Sequence, residues 1–298
     1  MNTKVVKPFL KWAGGKKQLI SEIQKYYPFD NRNIKKYAEP FIGGGAVLFD
    51  ILNKYEIDDV YISDVNKELI ITYNTVKNYS RELISILKEY QEEYYKATET
   101  KRKEIYLEKR QEFNILKQQN DTKNNVVQAA LMIFLNKTCF NGLYRENKKG
   151  YFNVPMGNYK NPLICDEENL RIVSEKLKKV SIHLVSYEKS YDFIDEKTFV
   201  YLDPPYRPLN KTSSFTSYTK DNFTDKEQLE LAEYVSKLNK KGAKILLSNS
   251  DPKNYDENDN FFDELYSEYR INRILATRMI NSKGNNRKAI SEILVSNY

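Results

Sequence analysis

The chain has 298 residues, of which 40% are hydrophobic and 30% charged, with a formal net charge of +7. That length suits one large domain or a core domain with a substantial insertion, and the charge favours a polyanionic partner only modestly, because Lys-rich composition also follows from an AT-rich genome. Two cysteines and one histidine argue against a disulfide framework, a metal site or a Ser-His-Asp triad. No apolar run approaches the roughly 20 residues of a membrane span, and Met1-Asn2-Thr3-Lys4 leads into no signal-peptide core. A cytoplasmic protein with no membrane partner and no metal is expected.

The first feature in the chain is Trp12, the only tryptophan, followed by Gly14-Gly15 and Lys16-Lys17. An amphipathic helix is expected from Gln18 onward. Paired glycines beside a helix start let backbone N–H groups approach an anion or a carboxylate closely. Core filling by Trp12 with solvated lysines is the plainer alternative. Tyr37 to Phe49 then reads as strand, tight turn and helix, with Gly43-Gly44-Gly45 at the turn. Glycines there let backbone run against a ligand that a side chain would exclude. The spacing is not G-x-G-x-x-G and no Gly-Lys-Ser/Thr follows, which disfavours dinucleotide and P-loop readings. About 20 residues on, Val60 to Asp64 forms a second strand ending in a carboxylate, placed as in folds where that acid accepts from ribose hydroxyls. The pair implies an adenosine-containing ligand without a pyrophosphate.

From Asn66 to Asn125 the recurrence of Leu83, Leu87, Tyr90 and Tyr94 predicts helices, and Val126 to Leu135 a more apolar one beneath them. The stretch from Asn136 to Lys160 holds Lys137, Arg145, Lys148, Lys149 and Lys160 against one acid, Glu146. Two short aromatic strands around Asn147-Lys148-Lys149-Gly150 predict a β-hairpin. A basic, aromatic ribbon with amide side chains suits the DNA major groove; an ordinary exposed hairpin is the alternative.

Ser181 to Ser186 with His183, Thr198 to Asp203, Ala243 to Ser248 and Ile290 to Ser296 read as strands. A helix over Lys226 to Leu238 lies among them, so the class is α/β. Asp203-Pro204-Pro205-Tyr206 stands at the carboxyl end of one of these strands, where open sheets bind ligands. Taken alone, it serves equally as a turn or as a site. Two loops are basic: Arg207 to Phe223, with Arg207, Lys211 and Lys220, and Thr277 to Ala289, with Arg278, Lys283, Arg287 and Lys288. Such loops contact phosphates or close over a substrate, or are simply solvated.

Together these segments resemble the Dam-type DNA N6-adenine methyltransferases, the D12 class with α motif order, close to small modification enzymes of restriction systems. Phe9-Leu10-Lys11-Trp12-Ala13-Gly14-Gly15-Lys16 is similar to the family's cofactor motif and Glu39-Pro40-Phe41-Ile42-Gly43-Gly44-Gly45 to its glycine-rich motif. Asp203-Pro204-Pro205-Tyr206 is similar to its catalytic motif, and Phe140 to Arg145 with Phe152 to Pro155 to its recognition hairpin. The resemblance implies a Rossmann-like methyltransferase sheet with an inserted helical plus β-hairpin DNA-recognition domain. Its expected boundaries are 1–68 and 179–298 for the catalytic part and 69–178 for the recognition part, with the hairpin at 138–160.

The resemblance implies S-adenosylmethionine as cofactor, at Trp12, Lys16, Glu39, Pro40, Phe41, Gly43, Asp64, Ser186, Tyr187 and Asp203. Catalysis would fall to Asp203, Pro204, Pro205 and Tyr206. Double-stranded DNA would meet Asn141, Leu143, Arg145, Lys148, Pro155 and Tyr159 in the hairpin. Arg207, Lys211, Arg278 and Lys283 would contact it from the two loops. Arg145 stands at the position that reads guanine in the family, which implies 5′-GATC as target. The chain departs from the family at Ser186, where an acid is common, and at Asn158, where Arg is. A cognate restriction endonuclease would be a further partner. The rival readings are methylation of RNA or of cytosine N4 by the same chemistry, and a DNA-binding relative without catalysis.

Overall fold

The computed structural model describes residues 5–30, 33–119, 122–207, 223–276 and 290–298. Its strands are β1 (Lys36–Glu39), β2 (Asp59–Asp64), β3 (Val180–Leu184), β4 (Thr198–Leu202), β5 (Lys244–Ser250), β6 (Arg270–Ala276) and β7 (Ile290–Ser296). The helices are α1 (Ile20–Ile23), α2 (Ala46–Lys54), α3 (Lys67–Asn78), α4 (Ser80–Lys96), α5 (Glu99–Gln119), α6 (Asn125–Thr138), α7 (Glu167–Leu177), α8 (Asp225–Lys240) and α9 (Phe261–Leu265). The strands form one mixed sheet in the order β3-β2-β1-β4-β5-β7-β6. β1 runs parallel to both β2 and β4, and β4 runs parallel to β5. β7 runs antiparallel to β5 and β6. This is the Rossmann-like α/β class expected from the sequence.

β4 is the middle strand of the seven, and its composition suits that place. All five of its residues are buried, and a β-branched, aromatic run without polar alternation is what a strand covered on both faces requires. Asp64 ends β2, Glu39 ends β1, and Asp203 follows β4 directly. The parallel register therefore brings acidic groups to the carboxyl ends of three strands, the edge where such sheets hold ligands.

The chain divides into two compact units. One comprises Met1–Gly15, Gly43–Asn53 and Asp64–Leu184. Its core is α6, in which every residue from Gln128 to Asn136 is buried, with the rings of Tyr90 and Tyr94 edge-on to Phe134. The other comprises Lys16–Ile42, Lys54–Ser63 and Val185–Tyr298. There the inward faces of β4 and β5 (Val200, Leu202, Ile245, Leu247) pack with Leu231, Val235 and Leu238 of α8. α8 begins with a capping box, in which Thr224 and Glu227 satisfy each other's backbone N–H groups.

Three local expectations are corrected. In place of one amphipathic helix from Gln18, a 3-10 turn at Lys16–Gln18, the four-residue α1 and a second 3-10 turn at Gln24–Tyr26 follow one another. Tyr27 precedes Pro28 and takes an extended ψ of 129°, which stops the helix. The ribbon at 138–160 is not a pair of strands but two isolated antiparallel bridges, Cys139 with Met156 and Glu146 with Phe152. The Asn114 side-chain amide bonds both the N–H and the C=O of Phe152, on the edge that faces away from Glu146. β6 was not expected, because Arg270, Asn272 and Arg273 mask its pattern. It sits at the sheet edge, paired only with β7, where polar residues are tolerated.

The turn into α2 is tight. Gly45 has φ +69°, and a Cβ there would stand 2.5 Å from the Tyr73 hydroxyl and 3.1 Å from Phe49. Gly45→Ala is expected to destabilise the protein by about 1–3 kcal/mol through left-handed strain and displacement of Tyr73. Urea unfolding of the two proteins measures it.

Candidate active site

The turn after β4 is held by charge. Lys16, 3% exposed, places its Nζ 2.7 Å from Asp203 Oδ1 and 3.5 Å from Glu292 Oε2 on β7. It also donates to the Tyr206 hydroxyl at 2.6 Å and lies 4.6 Å from the centre of that ring. The Ser248 hydroxyl on β5 donates to Asp203 Oδ1 at 3.1 Å and shares a 2.9 Å bond with the Tyr201 hydroxyl. Gln228 of α8 donates to the Pro205 carbonyl at 3.3 Å. Both contacts to Asp203 thus fall on Oδ1. Among the described residues neither Oδ2 nor the Pro204 carbonyl has a protein hydrogen bond.

Burial disfavours the Lys16 ammonium, but attraction to Asp203, with Tyr201 and Glu292 behind it, outweighs burial and holds Lys16 above the ordinary lysine range. Burial pushes the Asp203 carboxyl up, with Lys16 and Ser248 pulling it back. Burial likewise raises Glu292, against Lys16 and with Asp203, and its Oε2 is buried without a hydrogen-bond partner. Burial, then Asp203 and Glu292, keeps Tyr206 a neutral phenol. The structure brings Lys16, expected among the cofactor residues, together with Asp203 and with Tyr206, expected at catalysis, and adds Glu292 and Ser248, which were not among the expected residues. Their only signal was polarity inside otherwise apolar strands.

The glycine turns make a second cluster. Gly43 has φ +46°, and a Cβ there would meet Trp12 Cδ1 at 2.9 Å, while at Gly44 it would meet Trp12 Cβ at 3.1 Å. The Gly43 N–H donates to Asp64 Oδ2 at 3.2 Å and the Asn66 N–H to Asp64 Oδ1 at 2.9 Å. Burial raises the Asp64 carboxyl and these N–H groups pull it back. Trp12, Gly43 and Asp64 are therefore neighbours, the glycine turn and the acid as their spacing predicts and Trp12 as the resemblance implies. Phe41 stacks on Tyr187 at 5.2 Å, and Ser186 donates to Glu188, so an acid missing from position 186 is present two residues later. Glu39 is buried, with the Tyr37 hydroxyl donating to it at 2.7 Å. Pro40 is also buried, and its carbonyl accepts from Ser63.

The hairpin sorts its side chains by face. Asn141, Arg145, Lys148 and Pro155 are exposed, Leu143 and Tyr159 are partly so, and Tyr144, Phe152 and Val154 are buried. The Tyr144 hydroxyl is tied to Glu146 at 2.6 Å, Glu68 at 3.2 Å and Lys117 at 2.9 Å, and its ring stacks on Trp12. Arg145 donates to the Asn153 amide oxygen at 2.8 Å and has no carboxylate partner among the described residues. Tyr159 lies under the Lys11 ammonium. Arg207 is held by Asp225 and Asp259. Lys211, Arg278 and Lys283 lie outside the described residues, and so do Lys220, Arg287 and Lys288. No cluster of three or more His, Cys, Asp or Glu able to hold a metal occurs among the described residues, and no helix there is long and apolar enough to cross a membrane.

Lys16→Met would leave Asp203 and Glu292 without their shared cation, an expected loss of about 3–5 kcal/mol. Both folded-state carboxyls would then titrate above their unfolded values, so the folded state binds more protons than the unfolded. Stability of this variant should therefore rise as pH falls through the raised folded-state carboxyl range and level off below the unfolded carboxyl range near 4. Urea titrations across that range, beside the unsubstituted protein, measure it.

A family model for D12 class N6 adenine-specific DNA methyltransferase matches residues 12–280. The Type II methyltransferase M.MjaIII of Methanocaldococcus jannaschii is 52% identical over 296 residues, covering 98% of this chain and 99% of its own. The Type II methyltransferase M1.LlaDCHI of Lactococcus lactis is 38% identical, covering 98% of this chain and 96% of its own. A DNA adenine methylase of Vibrio cholerae is 33% identical, covering 96% of this chain and 94% of its own. With the motifs in their order and Asp203 in its buried charge cluster, the chain belongs to the D12 class of N6 adenine-specific DNA methyltransferases.

Proposed function

We propose that this DNA adenine-N6 methyltransferase uses S-adenosylmethionine and acts on duplex DNA at 5′-GATC. Support for the cofactor comes from Asp64 at the end of β2, whose carboxylate is anchored by backbone N–H groups of Gly43 and Asn66, beside a glycine turn that Trp12 packs against. Trp12, Phe41, Gly43 and Asp64 would hold the adenosine part, with Glu39, Pro40, Ser186 and Tyr187 around it. When bound, the cofactor supplies an electrophilic methyl group on a sulfonium.

The observation that carries the reading is the division of labour at the turn after β4. Asp203 Oδ1, the Pro205 carbonyl and the Tyr206 hydroxyl all have protein partners, whereas among the described residues Asp203 Oδ2 and the Pro204 carbonyl have none. Adenine N6 is a poor nucleophile because its lone pair is delocalised into the ring. Two fixed acceptors for its two hydrogens draw the nitrogen toward the geometry that attack requires. Pro204 and Pro205 lock the backbone that aims the carbonyl, and Tyr206 stacks on the base once it has left the duplex. Arg145, braced by Asn153, reads guanine in the major groove, beside Asn141, Leu143, Lys148, Pro155 and Tyr159. A modification role beside a cognate restriction endonuclease suits the Type II names of two relatives.

Asp203→Ala is expected to abolish methyl transfer to adenine while leaving DNA affinity within a few fold. Turnover equal to that of the unsubstituted enzyme would refute the mechanism. Arg145→Ala should lose about 1–3 kcal/mol of discrimination at one base pair; equal losses on GATC and scrambled duplexes would make it a phosphate contact. Base analysis of treated duplexes and RNA, with digestion by endonucleases of opposite methylation sensitivity, tests substrate and site. Finding only N4-methylcytosine or methylated RNA would overturn the assignment.

A further inference from the structure

Arg207 directly follows the catalytic tetrapeptide and, by composition, reads as a DNA contact. Its surroundings are those of a different role. Arg207 Nε donates to Asp225 Oδ1 at 2.6 Å and Nη2 to Asp225 Oδ2 at 3.1 Å, a bidentate pair. Nη1 donates to Asp259 Oδ2 at 2.6 Å. The guanidinium lies 4.2 Å from the centre of the Phe261 ring, and the side chain is 16% exposed. Hydrogen bonding to Asp225, against some burial, holds Arg207 above its ordinary range.

Both carboxylates are themselves fixed. Asp225 is the first residue of α8, and Asp259 Oδ1 accepts from the Phe261 N–H at 3.0 Å, ahead of α9. Among the described residues, two carboxylates around one guanidinium leave a local charge of −1, which disfavours a phosphate. Reaching DNA would mean breaking a bidentate pair, a third charge-assisted bond and a ring stack.

We propose that Arg207 is a positioning residue, clamping the end of the catalytic turn to α8 and to the segment before α9, and that it is not a DNA ligand. The clamp completes a set. Lys16 fixes the turn at Asp203 and Tyr206, Gln228 fixes it at Pro205, and Arg207 fixes the residue after Tyr206. α8 contributes two of these anchors, Asp225 and Gln228, from one helical turn. With the backbone pinned on both sides of Pro204, the direction of its carbonyl is set before substrate arrives. The inference rests on the methyltransfer reading given above.

The test measures kcat, KM for duplex and for cofactor, and the salt dependence of DNA affinity in Arg207→Ala, Arg207→Lys and Asp259→Asn. A positioning role predicts that kcat falls roughly 10- to 100-fold, the scale of a misplacement of about 1 Å, in both Arg207 variants. DNA affinity and its salt slope stay unchanged. Lys should not rescue, because an ammonium cannot form the bidentate pair or the stack. Asp259→Asn, which leaves residues 203–207 intact, should also lower kcat at constant KM, and it decides the matter if Arg207→Ala fails to fold. The proposal is overturned if kcat is retained in Asp259→Asn. It is equally overturned if Arg207→Ala weakens DNA binding with a salt slope reduced by about 1 while Lys restores it, the signature of a phosphate contact. Failure of the underlying reading is separate and appears first, as absence of adenine methylation by the unsubstituted enzyme.

Discussion

A buried lysine facing two carboxylates is the constraint around which the unit holding β4 and β7 is arranged. Lys16 is almost wholly removed from water and is tolerable only because Asp203 and Tyr206 lie within hydrogen-bonding distance, with Glu292 behind them. Removing any charge from water is expensive, and a buried ion pair breaks even only when its geometry and hydrogen bonds are good. Here the requirement selects one arrangement of three segments distant in the chain: the turn after Gly15, the end of β4, and the middle of β7. The same requirement fixes Asp203 Oδ1 as the oxygen that Lys16 and Ser248 contact inside the protein. Stability and chemistry are thus set by one ion cluster.

The other unit uses the same device in a different place. Lys117, Glu68 and Glu146 surround the Tyr144 hydroxyl, with Lys117 and Glu68 each less than a tenth exposed. That polar knot holds the ribbon at 138–160 where two isolated bridges alone would leave it loose. It turns Tyr144, Phe152 and Val154 inward and so leaves Arg145, Asn141 and Lys148 facing out. A short ribbon marginal as a two-stranded hairpin gains its shape from the helices beneath it. The Asn114 amide on α5 completes this by satisfying both backbone groups of Phe152.

Much of this molecule was legible locally. The Thr198–Leu202 run specified a doubly covered strand, and the Pro-Pro turn after it specified where the chain must leave the sheet. The triple glycine and the acid ending β2 marked a close backbone approach, and the mixed polarity after Asn66 marked helices. In each case the signal is held by a few consecutive residues, through periodicity, conformational restriction or lack of a Cβ. β6 is not legible because an edge strand with arginines has no such local pattern, and the apolar spacing after Gln18 gives no warning that Pro28, acting through Tyr27, stops the helix.

The sequence by itself therefore determined the class of fold, the order of the motifs and the residue types present at the chemistry. Tertiary structure alone decided their partners. Nothing local says that Lys16 meets Asp203, that Glu292 on the last strand joins them, or that Arg207 spends its donors on acids 18 and 52 residues away. Composition made Arg207 and Arg145 look alike, two cations beside functional motifs. Burial separates them: among the described residues the Arg207 guanidinium is enclosed by two carboxylates, while that of Arg145 is exposed and braced by an asparagine.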